Sequence, residues 1–157
     1  MNLSTPDSTA ILPPFDLCVR SGDMAVREAL GGIIGGLAPL SLDVEEINTV
    51  ELVMAEALNN IVEHAYPENT EDGSIAVGCQ HHTDGLHMTI RDQGRPMPDG
   101  QVPIGMRQKL DVDVMDMPEG GFGWFLIQNL AKDVRYGRVQ NENLLQLRLA
   151  VAIRRNN

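Results

Sequence analysis

The sequence predicts a single α+β domain, on three observations. Residues 44–65 carry apolar side chains at steps of three and four, the spacing of an amphipathic helix. Residues 74–91 and 133–153 each read as two alternating strands joined by a turn. The chain has 157 residues, enough for one domain with one sizeable core.

The elements follow in order. Residues 1–14 are polar and Pro-bearing and read as a flexible N-terminal tail ahead of one domain over 15–157. Residues 15–20 have an apolar, strand-like pattern. A first helix is expected over 23–37, where two Gly pairs each offer two alternatives: close packing, or an early end of the helix. The helix over 44–65 has Ser41 and Asp43 as candidate caps, and Glu45 and Glu46 suit the positive end of its dipole. Val44, Ile47, Val50, Met54, Leu58, Ile61 and Ala65 form its stripe, and Glu56 and Asn60 are expected away from it, one turn apart. Pro67 ends the helix.

Residues 68–73 read as a polar loop. Strands over 74–80 and 86–91 meet at Thr83, Asp84 and Gly85. Residues 95–120 hold four prolines and no sustained period, which predicts a long loop with a short helical piece, of the kind that is either functional or disordered. A helix opened by glycines covers 124–131. Strands over 133–138 and 144–153 close the chain around Asn141, Glu142 and Asn143.

The net charge of -10, from 12 basic and 22 acidic side chains, disfavours nucleic acid and anionic membrane as direct partners. It suits docking to other proteins, or plain solubility. Cys18 and Cys79 are too few for a disulfide framework or a zinc site, and both are expected as buried thiols. His64, His81, His82 and His87 lack metal spacing and read as surface or packing residues; His81 and His82 point to opposite sides of a strand. No basic start followed by an apolar run marks a signal peptide, and the uncharged stretch 29–42 is too short to span a bilayer. These features place the protein in the cytoplasm.

Three short motifs carry chemistry. Glu56 and Asn60 offer a general base and an amide oxygen for a hard cation, or simply the solvent face of a helix. Asp92 ends a strand with Gly94 two residues on; its carboxylate can accept from the amino group of adenine, although the pattern is also a common turn. Gly120, Gly121, Phe122 and Gly123 precede a helix, where unpaired N–H groups make an anion site or a bland junction. The run lacks the Lys-Ser/Thr of a Walker loop and has no βαβ unit around it.

Taken together, the motifs resemble the N box and the two glycine boxes of the Bergerat-fold (GHKL) ATPase and kinase superfamily. The branch most similar is that of the anti-sigma factor serine/threonine-protein kinases. Residues 55–66 match its N box nearly throughout, 91–96 resemble its first glycine box with Pro96 in place of a second Gly, and 120–127 resemble its second. The likeness runs from about residue 15 to 151.

The resemblance implies a two-layer sandwich, with helices on one face of a mixed, mostly antiparallel sheet. It implies ATP and Mg2+ as cofactors, with Asn60 on the metal, Glu56 as catalytic base, and Asp92 and Gly94 at adenine. It places Gly121, Phe122 and Gly123 at the phosphates and makes 97–119 the ATP lid; Arg95, Arg107 and Lys109, the basic residues near that lid, are candidates for phosphate contact. Gln146 aligns where many relatives place a Thr that helps hold the base.

The implied function is an ATP-dependent protein kinase acting as an anti-sigma factor. Its substrate is a small anti-sigma antagonist protein, and a sigma factor and a second copy of the chain are further partners. A nucleotide-gated binding module without chemistry is the alternative. A histidine kinase fragment fits less well, because no helical hairpin precedes the N box to carry a substrate histidine. For the homodimer, residues 23–40 offer a Gly-rich apolar surface that packs either on a second copy or on its own sheet.

Overall fold

The structure, a computed structural model, describes residues 12–66, 73–97 and 121–151. Strand β1 (Phe15–Arg20) leads into helix α1 (Ala25–Leu37). Helix α2 (Val44–Asn60) continues as a π-helical turn, Ile61–Ala65. The hairpin β2 (Ser74–His82) and β3 (Gly85–Asp92) follows, then helix α3 (Gly121–Leu130) and the hairpin β4 (Lys132–Val139) and β5 (Glu142–Leu149). The sheet order is β1-β2-β3-β5-β4, with every described pairing antiparallel.

One face of the sheet is apolar because the strands keep period two in phase across their register. Val77 lies opposite Ile90, and Ile90 opposite Leu145. Ile75, Val77, Leu86, Met88, Ile90, Leu147 and Leu149 are all buried on that face, under the helices. The other face carries Gln80, Arg91 and Gln146 to solvent. This is the two-layer α+β arrangement that the resemblance implied.

The α1 glycines serve close packing, and the helix runs through them. A Cβ on Gly32 would come within 2.8 Å of Leu17, and one on Gly36 within 2.5 Å of the Phe15 ring, while Gly31 and Gly35 border open space. Thus α1 lies directly on β1.

Asp43 caps α2: its carboxylate accepts from Glu46 N at 2.8 Å, and Glu46 Oε1 accepts from Asp43 N at 2.9 Å. The buried stripe differs from the expected one at its start. Val44, the first residue of the helix, is 75% exposed, and the stripe runs through Val50, Val53, Met54, Ala57, Leu58 and Ile61. Val53 and Ala57 set its centre about a residue away from the expected line.

Cys79 is buried in β2, and burial pushes its thiol up to about 12. Cys18 is exposed, contrary to expectation. It pairs with Ala76 on the open face, the odd phase of a strand whose Leu17 and Val19 turn inward. His81 is buried and His82 exposed, as alternation requires. Leu12 already belongs to the core, within the segment expected as a tail. The rest of that tail (1–11), residues 67–72 of the polar loop and the loop at 98–120 lie outside the described residues. Among the described residues no helix is long and apolar enough to cross a membrane.

Candidate functional site

The site is built where α2 ends. Glu56 is half-buried and Asn60 is 7% exposed, so Asn60 belongs to the covered side of the helix and not to the solvent face that was its alternative reading. Its Nδ2 donates to the Glu56 carbonyl at 2.8 Å, which pins the amide against the helix and leaves Oδ1 as the atom that this bond does not use. Immediately after Asn60 the backbone widens: Tyr66 N donates to Ile61 O at 3.2 Å, five residues back. Single π-turns of this kind are common at functional sites. Pro67 comes next, and Tyr66 leaves the helical region with φ -125°.

Tyr66 then reaches the end of the sheet. Its hydroxyl donates to Ser74 O at 2.8 Å and accepts from Gln93 N at 2.7 Å. Its ring covers Gly73, where a Cβ would come within 2.5 Å. Burial raises the Tyr66 pKa above its usual range.

The turn after β3 is fastened to the same place. Arg95 N donates to Ala65 O at 2.9 Å. A Cβ on Gly94 would collide with that carbonyl, so only glycine allows the approach. Asp92 is 4% exposed, and its Oδ1 accepts from Gly94 N at 2.9 Å. Burial raises the Asp92 pKa, against the hydrogen bonds from Asn143 and Gly94 and the charge of Arg138.

Asn143, Tyr136 and Arg138 complete this turn, and sequence reasoning singled out none of them for it. Asn143 Nδ2 donates to Asp92 Oδ1 at 2.8 Å and to Arg95 O at 3.0 Å. Its Oδ1 accepts from Tyr136 Oη at 2.9 Å and from Arg138 at 2.7 Å. Arg138 also donates to Gly94 O at 2.9 Å, and Tyr136 Oη accepts from Met97 N at 2.8 Å.

Asn143 was expected in the turn of the last hairpin. The turn falls instead at Gln140 and Asn141, both with positive φ (52° and 67°), and Asn143 is a strand residue opposite Asp92. The available signal was the alternation Asn143, Leu145, Leu147, Leu149, all buried. Gln146, aligned with the family's Thr, is exposed and pairs with Thr89.

Of the expected site residues, the structure joins Asp92 and Gly94, through Ala65 and Tyr66, to the end of the helix that bears Glu56 and Asn60. Gly121, Phe122 and Gly123 form the first turn of α3, which starts three residues before the expected 124 and packs on α2. Arg95 is exposed beside the turn. Arg107 and Lys109 lie outside the described residues.

Comparisons with known proteins agree with this fold. The chain is 29% identical over 98 residues to the anti-sigma F factor of Bacillus subtilis, covering 62% of this chain and 64% of that protein. It is 32% identical over 96 residues to the serine-protein kinase RsbW of Oceanobacillus iheyensis, covering 58% of each. The match thus spans less than two thirds of these relatives' own lengths. The fold resembles the crystal structure of the RsbU and RsbW domains of a Mycobacterium tuberculosis protein, with TM-score 0.62 and 18% identity over 88% of this chain and 32% of that one. Residues 23–149 match the model of the histidine kinase-like ATPase domain, and the chain belongs to that family.

Proposed function

We propose that the chain binds ATP with magnesium across the end of α2, the 92–97 turn and the start of α3. There it transfers the terminal phosphoryl group to a serine or threonine of a small anti-sigma antagonist protein. Membership of an ATPase domain family makes ATP the nucleotide. The observation that carries the reading is the buried Asp92 carboxylate, held in one orientation by Gly94 and Asn143 and tied through Ala65 to the helix of Glu56 and Asn60. A buried acceptor at a strand end suits the amino group of adenine.

The donor set fits magnesium. Asn60 presents one hard amide oxygen, and the ion takes its other ligands from phosphate and water. When bound, the ion neutralises charge that develops on the transferring phosphoryl group. Glu56, one turn before Asn60, accepts the proton of the attacking hydroxyl. The hydroxyl oxygen forms the new bond to phosphorus, and ADP leaves. Gly121 and Gly123 give the phosphates the unpaired N–H groups of a helix start.

The relatives named serine-protein kinase RsbW and anti-sigma F factor support an antagonist protein as substrate and a sigma factor as a further partner. A cytoplasmic setting and pairing with a second copy belong to the same reading. Calorimetry with ADP and magnesium, followed by incubation with labelled ATP and candidate antagonists, tests it. Binding with phosphoryl transfer is expected. Binding without transfer to any cognate partner would leave a nucleotide-gated binding switch, and no binding by folded protein would overturn both.

A further inference from the structure

We propose that Asn143 is a positioning residue for nucleotide recognition, set by Tyr136 and Arg138; the inference rests on the nucleotide site proposed above. Asn143 is 1% exposed, and both ends of its amide are engaged. Nδ2 is directed at Asp92 Oδ1, with the carbonyl oxygens of Gly94 at 3.3 Å and Arg95 at 3.0 Å beside it. Oδ1 is held by the Tyr136 hydroxyl and the Arg138 guanidinium. Nothing in this arrangement leaves Asn143 free to contact a ligand directly. What it does is choose which carboxylate oxygen Asp92 offers. Oδ1 is taken by Gly94 N and Asn143, so Oδ2 is the oxygen presented to a ligand donor.

The two β4 residues set the amide in turn. With two donors on Oδ1, the amide cannot flip without pointing its NH2 group at a cation and a hydroxyl. Arg138 also bonds Gly94 O, and Tyr136 also bonds Met97 N, so the same two side chains hold the turn that Asn143 crosses. The β4-β5 hairpin therefore fixes the carboxylate and the backbone around it as one unit.

Among the described residues, the charged and titratable groups facing Asp92 are Arg138 of β4, Glu142 of β5, Tyr136 of β4 and Tyr66 after the π-turn. The bond from Asn143 is the chief influence favouring the ionised form, while burial opposes it. An ionised Asp92 accepts more strongly from a base amino group than a protonated one. Loss of the Asn143 donor should raise its pKa further and move the acid limb of binding to higher pH.

The test is ADP binding by calorimetry from pH 5 to 9, with folding checked by circular dichroism, for wild type, Asn143→Asp, Tyr136→Phe and Asp92→Asn. Asn143→Asp keeps the shape and both β4 partners but replaces the donor with an acceptor. It should bind ADP roughly ten- to a hundredfold more weakly at neutral pH, the range for losing a hydrogen bond to a charged group. Its acid limb should also move to higher pH: wild type loses affinity as Asp92 is protonated, and the variant, whose two facing carboxyls hold a shared proton more tightly, loses it at a higher pH than wild type.

Tyr136→Phe, which removes one hydroxyl and keeps the ring, should weaken binding several-fold in a folded protein. Asn143→Asp and Tyr136→Phe proteins with wild-type affinity and a wild-type pH profile, beside an Asp92→Asn protein that fails to bind, would overturn the positioning role and leave the nucleotide site standing. A folded wild type that binds no adenine nucleotide would overturn both.

Discussion

Arg95 N donates to Ala65 O at 2.9 Å, and this bond joins the turn after β3 to the last residue of the π-turn that extends α2. Two motifs about thirty residues apart in sequence thus share one backbone junction. Tyr66 repeats the connection one residue later through Gln93 and Ser74. An α-helical end could not place both Ala65 O and the Tyr66 hydroxyl there without rotating one of them, since the wider π-turn changes the direction of each residue after Asn60.

Gly94→Ala tests the junction directly. The added Cβ meets the Ala65 carbonyl, a backbone group that cannot swing aside. The expected cost is about 1–3 kcal/mol, the range for overpacking a tight contact. Thermal melts should show a clear fall in Tm, together with weaker ADP binding in calorimetry. An unchanged melt would mean that the turn and helix end are not held this closely.

Most of the fold was legible in the sequence. The 44–65 periodicity, the hairpin at Asp84 and Gly85 and the glycines ahead of Trp124 each state a local rule that tertiary structure keeps. The features that were not legible depend on partners distant in sequence. Asn60 looks polar and solvent-facing by type, yet the cover of α2 buries it. Asn143 looks like a turn residue because Asn favours turns, yet Gln140 and Asn141 take the positive φ and leave Asn143 in phase with the core leucines. The π-turn has no signal in composition at all. The expected lid, at 97–119, lies outside the described residues beyond Met97.

Asp92→Asn should separate stability from binding, and pH gives the sign. Burial raises the folded-state pKa of Asp92 above its ordinary 3.8, so the folded protein holds this proton more tightly than the unfolded chain. The stability linked to that proton is fully present below the ordinary value and is lost as pH rises through the raised one. At neutral pH the buried charge is therefore a liability, which an amide does not share. Asp92→Asn should melt above wild type at pH 7, with the gap narrowing as the solution is acidified through the raised pKa. The same variant should lose ADP binding. A gap that stays constant with pH would mean that the Asp92 pKa is not raised in the folded protein.

Glu56→Gln tests the proposed base. The side chain is half-buried on the turn before Asn60, and the bond between Asn60 and this residue uses the Glu56 carbonyl, which the substitution keeps. The Asn60 amide should stay in place and ADP binding should remain near wild type. Transfer of labelled phosphate to the antagonist protein should fall roughly 10²- to 10⁴-fold, the usual contribution of a general base. Transfer at the wild-type rate would remove Glu56 from the chemistry.

The glycine pairs of α1 give a prediction whose sign changes between neighbours. Gly35 borders open space, and Gly36 faces the Phe15 ring at 2.5 Å from where a Cβ would sit. Both are helical, so alanine at either position lowers the entropy of the unfolded chain and favours the helix by about 1 kcal/mol. At Gly35 nothing opposes that gain, and Gly35→Ala should raise Tm by about 2–4 °C for a domain of this size. At Gly36 the methyl must displace the Phe15 ring from the groove that seats β1 on the helix. Because, among the described residues, β1 is an edge strand paired with β2 alone, it has room to shift, but only by loosening the contacts of Leu17 and Val19 with the core. Gly36→Ala should therefore lower Tm in spite of its better helix propensity. Denaturant unfolding of the two single variants against wild type checks the pair. Stabilisation by both would show that β1 does not depend on close contact with α1, and destabilisation by both would show that Gly35 meets a neighbour as well.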